Sequence, residues 1–127
     1  MEGTIRPSIR LTLEKEERFF GPGVADLLEL VEEKGSIQGA CSEMGMSYSK
    51  SWKIIKRAER ELGYPLLSSH NGGTAGGKSE LTEKGKWFLQ QYREMEEASG
   101  ERWRMYSGSI SGGIGIWREI DQKTENH

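Results

Sequence analysis

The stretch GSIQGACSEMGMSYSKSWKIIKRAERELG, Gly35 to Gly63, constrains this chain more than any other. Its small and polar residues act as punctuation. Gly35 can close a preceding helix, and Ser36 is a good N-cap whose hydroxyl satisfies a free backbone N–H of the next one. Gln38 to Met44 then makes about two helical turns, in which Gly39, Ala40 and Cys41 are small enough for another helix to lie close. Gly45 tolerates a positive φ, Met46 turns inward, and Ser47 caps a second helix that runs to Gly63. Two helices joined by a tight glycine turn form a helix-turn-helix.

The second helix has two unlike faces. Ser51, Ile55, Ala58 and Leu62 recur at helical spacing and form a narrow inward stripe, with Trp52 at its edge and expected in the core, the alternative being a ring stacked on a sugar or base. Lys50, Lys53 and Arg57 share another face, joined by Lys56 and Arg60 at its rim. From Ser47 to Gly63 there are five Lys or Arg against two Glu, a local charge of +3. A basic helix entering this motif suits the major groove of DNA, where Arg and Lys reach phosphates or guanine edges. On that reading Ser49, Lys50, Lys53 and Arg57 are the expected groove contacts. Ser36, Ser47 and Lys56, at helix starts or on the rim, are the expected phosphate contacts. The plainer alternative is an ordinary solvated face.

Upstream, Ser8 to Leu13 alternates Ile9, Leu11 and Leu13 with polar residues and predicts a half-buried strand, with a charged turn and a short return strand at Phe19-Phe20. Gly21-Pro22-Gly23 stops that hairpin. A helix follows from about Val24 to Lys34, with Val24, Leu27, Leu28 and Val31 at core spacing. Downstream, Leu66 to Ser69 and Lys78 to Leu81 predict two short strands joined by the glycine-rich Asn71 to Gly77. That is a wing, in which the backbones of Gly72, Gly73, Gly76 and Gly77, with Lys78, can approach phosphate or the minor groove. Thr82 caps a last helix through Ser99. Its apolar residues Phe88, Tyr92 and Met95 are expected to pack on the domain and to pair with a second copy as a dimerisation face, or to serve simply as core. The expected fold is therefore α+β and mainly α: a winged helix-turn-helix with a short N-terminal strand or hairpin and a C-terminal dimerisation helix. Residues 1–99 form the domain, and residues 100–127 are a Gly/Ser-rich tail whose structure and role the sequence does not decide.

Charge narrows the partner. The chain of 127 residues has a formal charge of −2, yet Leu11 to Lys34 and Glu94 to His127 are acidic, so positive charge gathers in the middle. Such a distribution is expected where one face meets a polyanion. With Cys41 as the single cysteine no intramolecular disulfide forms, and His70 and His127 complete no metal cluster; neither metal nor cofactor is expected. No apolar run has the length of a membrane span, so no membrane partner is expected and a cytoplasmic location is. No catalytic grouping is visible, and the chain is not expected to be an enzyme.

One motif competes. Residues 72–79, GGTAGGKS, satisfy G-x-x-x-x-G-K-[ST], the phosphate-binding P-loop of nucleotide-binding proteins. That chemistry needs a helix beginning at Lys78-Ser79, whereas Ser79 to Thr82 reads as extended. A second alternative is a protein-interaction module on the same winged fold, using the last helix and the Ile/Trp residues of the tail.

FGPGVADLLELVEEKGSI, GMSYSKSW, PLL and GGTAGGKSELTEKG together resemble the N-terminal DNA-binding domain of ModE-type molybdate-responsive regulators, a winged helix akin to the LysR type. The resemblance spans about Ile9 to Ala98. It implies a dimeric, sequence-specific transcription regulator that binds double-stranded DNA, with the Ser47 helix in the major groove and the wing on the backbone or minor groove. Residues after Ala98 are too few for the molybdate-binding β-barrel domains that usually follow. The expectation is a stand-alone DNA-binding domain with no effector assigned.

Overall fold

The computed structural model describes residues 8–70 and 77–109, with side chains through Gly100. Arg10–Glu94 form one compact unit, and Met1–Ile9 with Met95–His127 form another. In chain order the elements are β1 (Leu13–Glu14), β2 (Arg18–Phe20), α1 (Pro22–Lys34), α2 (Ile37–Met44), α3 (Tyr48–Leu62), β3 (Leu67–His70), β4 (Lys78–Leu81) and α4 (Glu83–Ser109). The strands make two antiparallel hairpins, β1–β2 and β3–β4.

Local chemistry explains the helix boundaries. Pro22 opens α1, where its missing N–H costs no helical hydrogen bond. The Ser36 hydroxyl accepts from the Gly39 N–H at 3.0 Å and the Ser47 hydroxyl from the Lys50 N–H at 3.1 Å, so both expected N-caps are made. Between them Gly45 sits at φ 71°, a left-handed conformation that lets α2 end and α3 leave at an angle.

The core of the Arg10–Glu94 unit forms where the helices and both hairpins meet. Leu27, Leu28 and Val31 of α1, Ala40 of α2, and Ile55 and Ala58 of α3 are buried together with Leu66 and Leu81 beside the wing. Phe20 reaches the same core from β2 and packs edge-on against Phe88 and Tyr92, with ring centroids 4.8 and 4.9 Å away. The Tyr92 hydroxyl donates to the Leu11 carbonyl at 2.7 Å, which ties the N-terminal segment to α4.

Four expectations need correction. The first strand is shorter and later than Ser8 to Leu13: it is Leu13–Glu14, because a three-residue β2 offers pairing only at Leu13↔Phe20 and Glu14↔Arg18. Trp52 is 45 % exposed rather than core, since the stripe Ser51–Ile55–Ala58 already fills the contact with the other helices. Phe88 and Tyr92 are buried in this chain's own core, so they offer no surface to a second copy; of the dimerisation set only Met95 is exposed. The last helix continues through Gly100 to Ser109, ten residues beyond Ser99. The remainder of the tail, residues 110–127, lies outside the described residues.

Candidate nucleic-acid interface

Helix α3 is held by its inner face and offers its outer one. Ser51, fully buried, donates its hydroxyl to the Ser47 carbonyl at 3.0 Å, and Ile55 and Ala58 seat the helix on the core. That leaves Ser49, Lys50 and Lys53 exposed. Neither Lys50 nor Lys53 has an ion-pair partner among the described residues. The rim cations are engaged. Lys56 pairs with Glu59 at 3.2 Å and lies 5.6 Å from the centre of the Trp52 ring, and Arg57 donates to Glu17 of the β1–β2 turn at 2.6 Å. Of the expected contacts, the structure thus brings Ser49, Lys50, Lys53, Lys56 and Arg57 onto one helix surface, with Arg57 in competition for an intramolecular carboxylate.

Tyr48 and Trp52, one helical turn apart, are 51 % and 45 % exposed on a flank of α3 and extend that surface. Sequence reasoning assigned Trp52 this place only as the lesser alternative to the core, and assigned Tyr48 none. Their signal was the four-residue spacing just outside the inward stripe. Ser36 and Ser47 stand at the starts of α2 and α3 with their oxygens already accepting a backbone N–H, so each has its hydroxyl hydrogen to give.

The wing is fastened at its base by two carboxylates. Glu59, on the far turn of α3, is buried and accepts from the N–H groups of Leu66 at 2.7 Å and Leu67 at 3.1 Å. Glu32 of α1 accepts from the Leu81 N–H at 3.1 Å, and the Ser79 N–H bonds the Gly35 carbonyl at 2.8 Å. β3 and β4 then pair in full register from Leu67↔Leu81 to His70↔Lys78. Gly77 and Lys78 are exposed at the outer end of β4. Gly72, Gly73 and Gly76 lie outside the described residues.

This register also decides the competing motif. Lys78-Ser79 belongs to a strand paired antiparallel with Ser69-His70, whereas a P-loop needs those residues to begin a helix whose N–H groups cradle phosphate. The P-loop reading of residues 72–79 is therefore set aside. Among the described residues there is no group of His, Cys, Asp or Glu that could hold a metal ion, and no helix is long and apolar enough to cross a membrane.

A helix-turn-helix followed by a two-stranded hairpin and a long helix defines a winged helix-turn-helix protein. Residues 25–86 match the family described as bacterial regulatory helix-turn-helix protein, lysR family, and form a helix-turn-helix domain of that type. Among sequence relatives, the molybdenum transport protein ModE of Herbaspirillum seropedicae is 27 % identical over 119 residues, 91 % of this chain and 42 % of its own length. The transcriptional regulator ModE of Haemophilus influenzae is 30 % identical over 89 residues, 69 % of this chain and 35 % of its own. The chain spans less than half the length of these curated relatives. A solved structure described as a CbnR DBD–DNA complex has the same fold, with a TM-score of 0.53 at 22 % identity over 69 % of this chain and 95 % of that one.

Proposed function

We propose that this chain binds double-stranded DNA as the reading head of a transcription regulator, and that it does so as a homodimer. One observation carries the proposal. Helix α3 is anchored by its buried stripe while Lys50 and Lys53 stand exposed, with no ion-pair partner among the described residues, in an otherwise acidic chain. Inserted in the major groove, α3 would place Ser49, Lys50 and Lys53 at base edges and phosphates, with Arg57 joining once it leaves Glu17. Ser36, Ser47 and Lys56 are proposed to meet phosphates, and Lys78 with Gly72, Gly73, Gly76 and Gly77 to meet the backbone or minor groove beside them. Trp52 and Tyr48 fit the sugar and base faces at the flank. The similarity to regulators named ModE supports this assignment and does not extend to molybdate, whose binding is not proposed for these residues.

The homodimer rests on α4. With Phe88 and Tyr92 buried, the exposed apolar residue of that helix within the compact unit is Trp87, at 58 %. The direct test of DNA binding is the double substitution Lys50→Ala/Lys53→Ala against a labelled duplex. Loss of two cationic contacts is expected to weaken binding to random DNA about tenfold or more at low salt. Unchanged affinity would refute the assignment.

A further inference from the structure

A groove of about 330 Å³ lies between the β1–β2 hairpin, the start of α1, the end of α2 and one flank of α3. Its floor is Phe20 and Leu27, both buried, and its walls are the half-buried Phe19, Val24, Met44, Met46 and Ile54. Around this apolar interior stand Arg10, Arg18, Lys50 and Arg57. Among the described residues no carboxylate lines it. Of the four cations only Arg57 has an ion-pair partner among the described residues, so the groove concentrates uncompensated positive charge in a chain whose total is −2.

An apolar hollow at the small end of the usual ligand-site range, ringed by cations of one sign, is complementary to a compact amphipathic anion. We propose that this groove binds a small organic carboxylate, its hydrocarbon body against Phe19, Met44, Met46 and Ile54 and its carboxylate held by Arg10 and Arg18. Two features suit that ligand. Methionine walls adapt to a hydrocarbon of imperfect shape, and guanidinium groups give the short, charge-assisted bonds that carboxylates take. Lys50 and Arg57 also line the groove and are among the proposed DNA contacts. On the DNA-binding reading, to which this one consequence is tied, a bound carboxylate draws both residues toward itself and weakens DNA binding.

The site is tested without DNA, so its outcome is independent of that reading. The probes are octanoate, octan-1-ol and octylammonium, titrated into the full chain carrying [methyl-13C]methionine. Octanoate is expected to shift the Met44 and Met46 methyl signals saturably while Met95 stays fixed, with the neutral and cationic probes about tenfold weaker or worse, the value of one charge-assisted contact. Arg10→Gln/Arg18→Gln, two exposed changes outside the core, should weaken octanoate by a similar factor and leave octan-1-ol unchanged. Equal binding of octanoate and octan-1-ol, shifts spread over all methionines without saturation, or no shift at all would each overturn the site. With the site established, unchanged DNA affinity at saturating octanoate would overturn the regulatory consequence alone.

Discussion

Glu59 is the residue whose loss should reveal how the wing is tied to the DNA-facing helix. Its side chain is 10 % exposed, and one carboxylate oxygen accepts two backbone N–H groups, from Leu66 at 2.7 Å and Leu67 at 3.1 Å. Substitution Glu59→Ala leaves both donors without that acceptor. The Leu66 N–H is buried and cannot recover a partner from water, which costs about 1–3 kcal/mol, and more where the lost acceptor was charged. The part-buried Leu67 N–H regains water and adds a fraction of that. The Lys56 pair adds little, because Lys56 is 52 % exposed and such pairs contribute about 0–1 kcal/mol. The sum is a destabilisation of about 2–4 kcal/mol, a sizeable part of the stability of a small domain. Urea unfolding followed by tryptophan fluorescence measures it, with Lys56→Ala as the control expected to lose under about 1 kcal/mol. Hydrogen exchange should at the same time speed up at Leu66, Leu67 and β3 before the core of α1. A loss below about 1 kcal/mol for Glu59→Ala, or equal losses for both variants, would refute the anchoring role.

Other substitutions probe separate parts of the account. Gly85→Ala should destabilise by about 3 kcal/mol or more, because a Cβ there would stand 2.3 Å from the Leu66 carbonyl oxygen, and neither backbone can yield without moving the wing or α4; a melting temperature within a few degrees of the parent would contradict this. Glu17→Gln should change stability by under about 1 kcal/mol, Glu17 being 77 % exposed on that side of its pair. It should nevertheless tighten DNA binding several-fold by releasing Arg57, read by anisotropy as a lower dissociation constant; weaker binding would show that Glu17 positions Arg57 rather than competing for it. Trp87→Lys should leave folding intact and shift sedimentation toward monomer, and an unchanged dimer fraction would remove Trp87 from the interface.

What the sequence showed most clearly was local. Ser36, Gly45, Ser47 and Gly63 mark helix ends through bonds to residues three or four positions away, and those ends fall where the spacing predicts. The wing strands were legible for the same reason: two short β-prone runs on either side of a glycine cluster leave few other arrangements. What depended on distant partners was not. Phe88 and Tyr92 advertise an apolar stripe, but only the arrival of Phe20 from the first hairpin decides that this chain covers it itself. Arg57 reads as one more cation until Glu17, 40 positions earlier, is placed beside it. Glu59 looks like a solvated helix residue because nothing local reveals that Leu66 and Leu67 fold back over it. Trp52 shows the converse, a large aromatic that the core had no room to accept.

The central claim, that α3 and the wing form a DNA-binding face, is tested most directly by the salt dependence of binding to a labelled random duplex, followed by fluorescence anisotropy. Phosphate contacts from Lys50, Lys53, Lys56, Arg57 and Lys78 predict a straight fall of log K with log salt, with a slope of about −3 to −5 for each subunit bound. A slope near zero, or no binding at the lowest salt, would contradict the account.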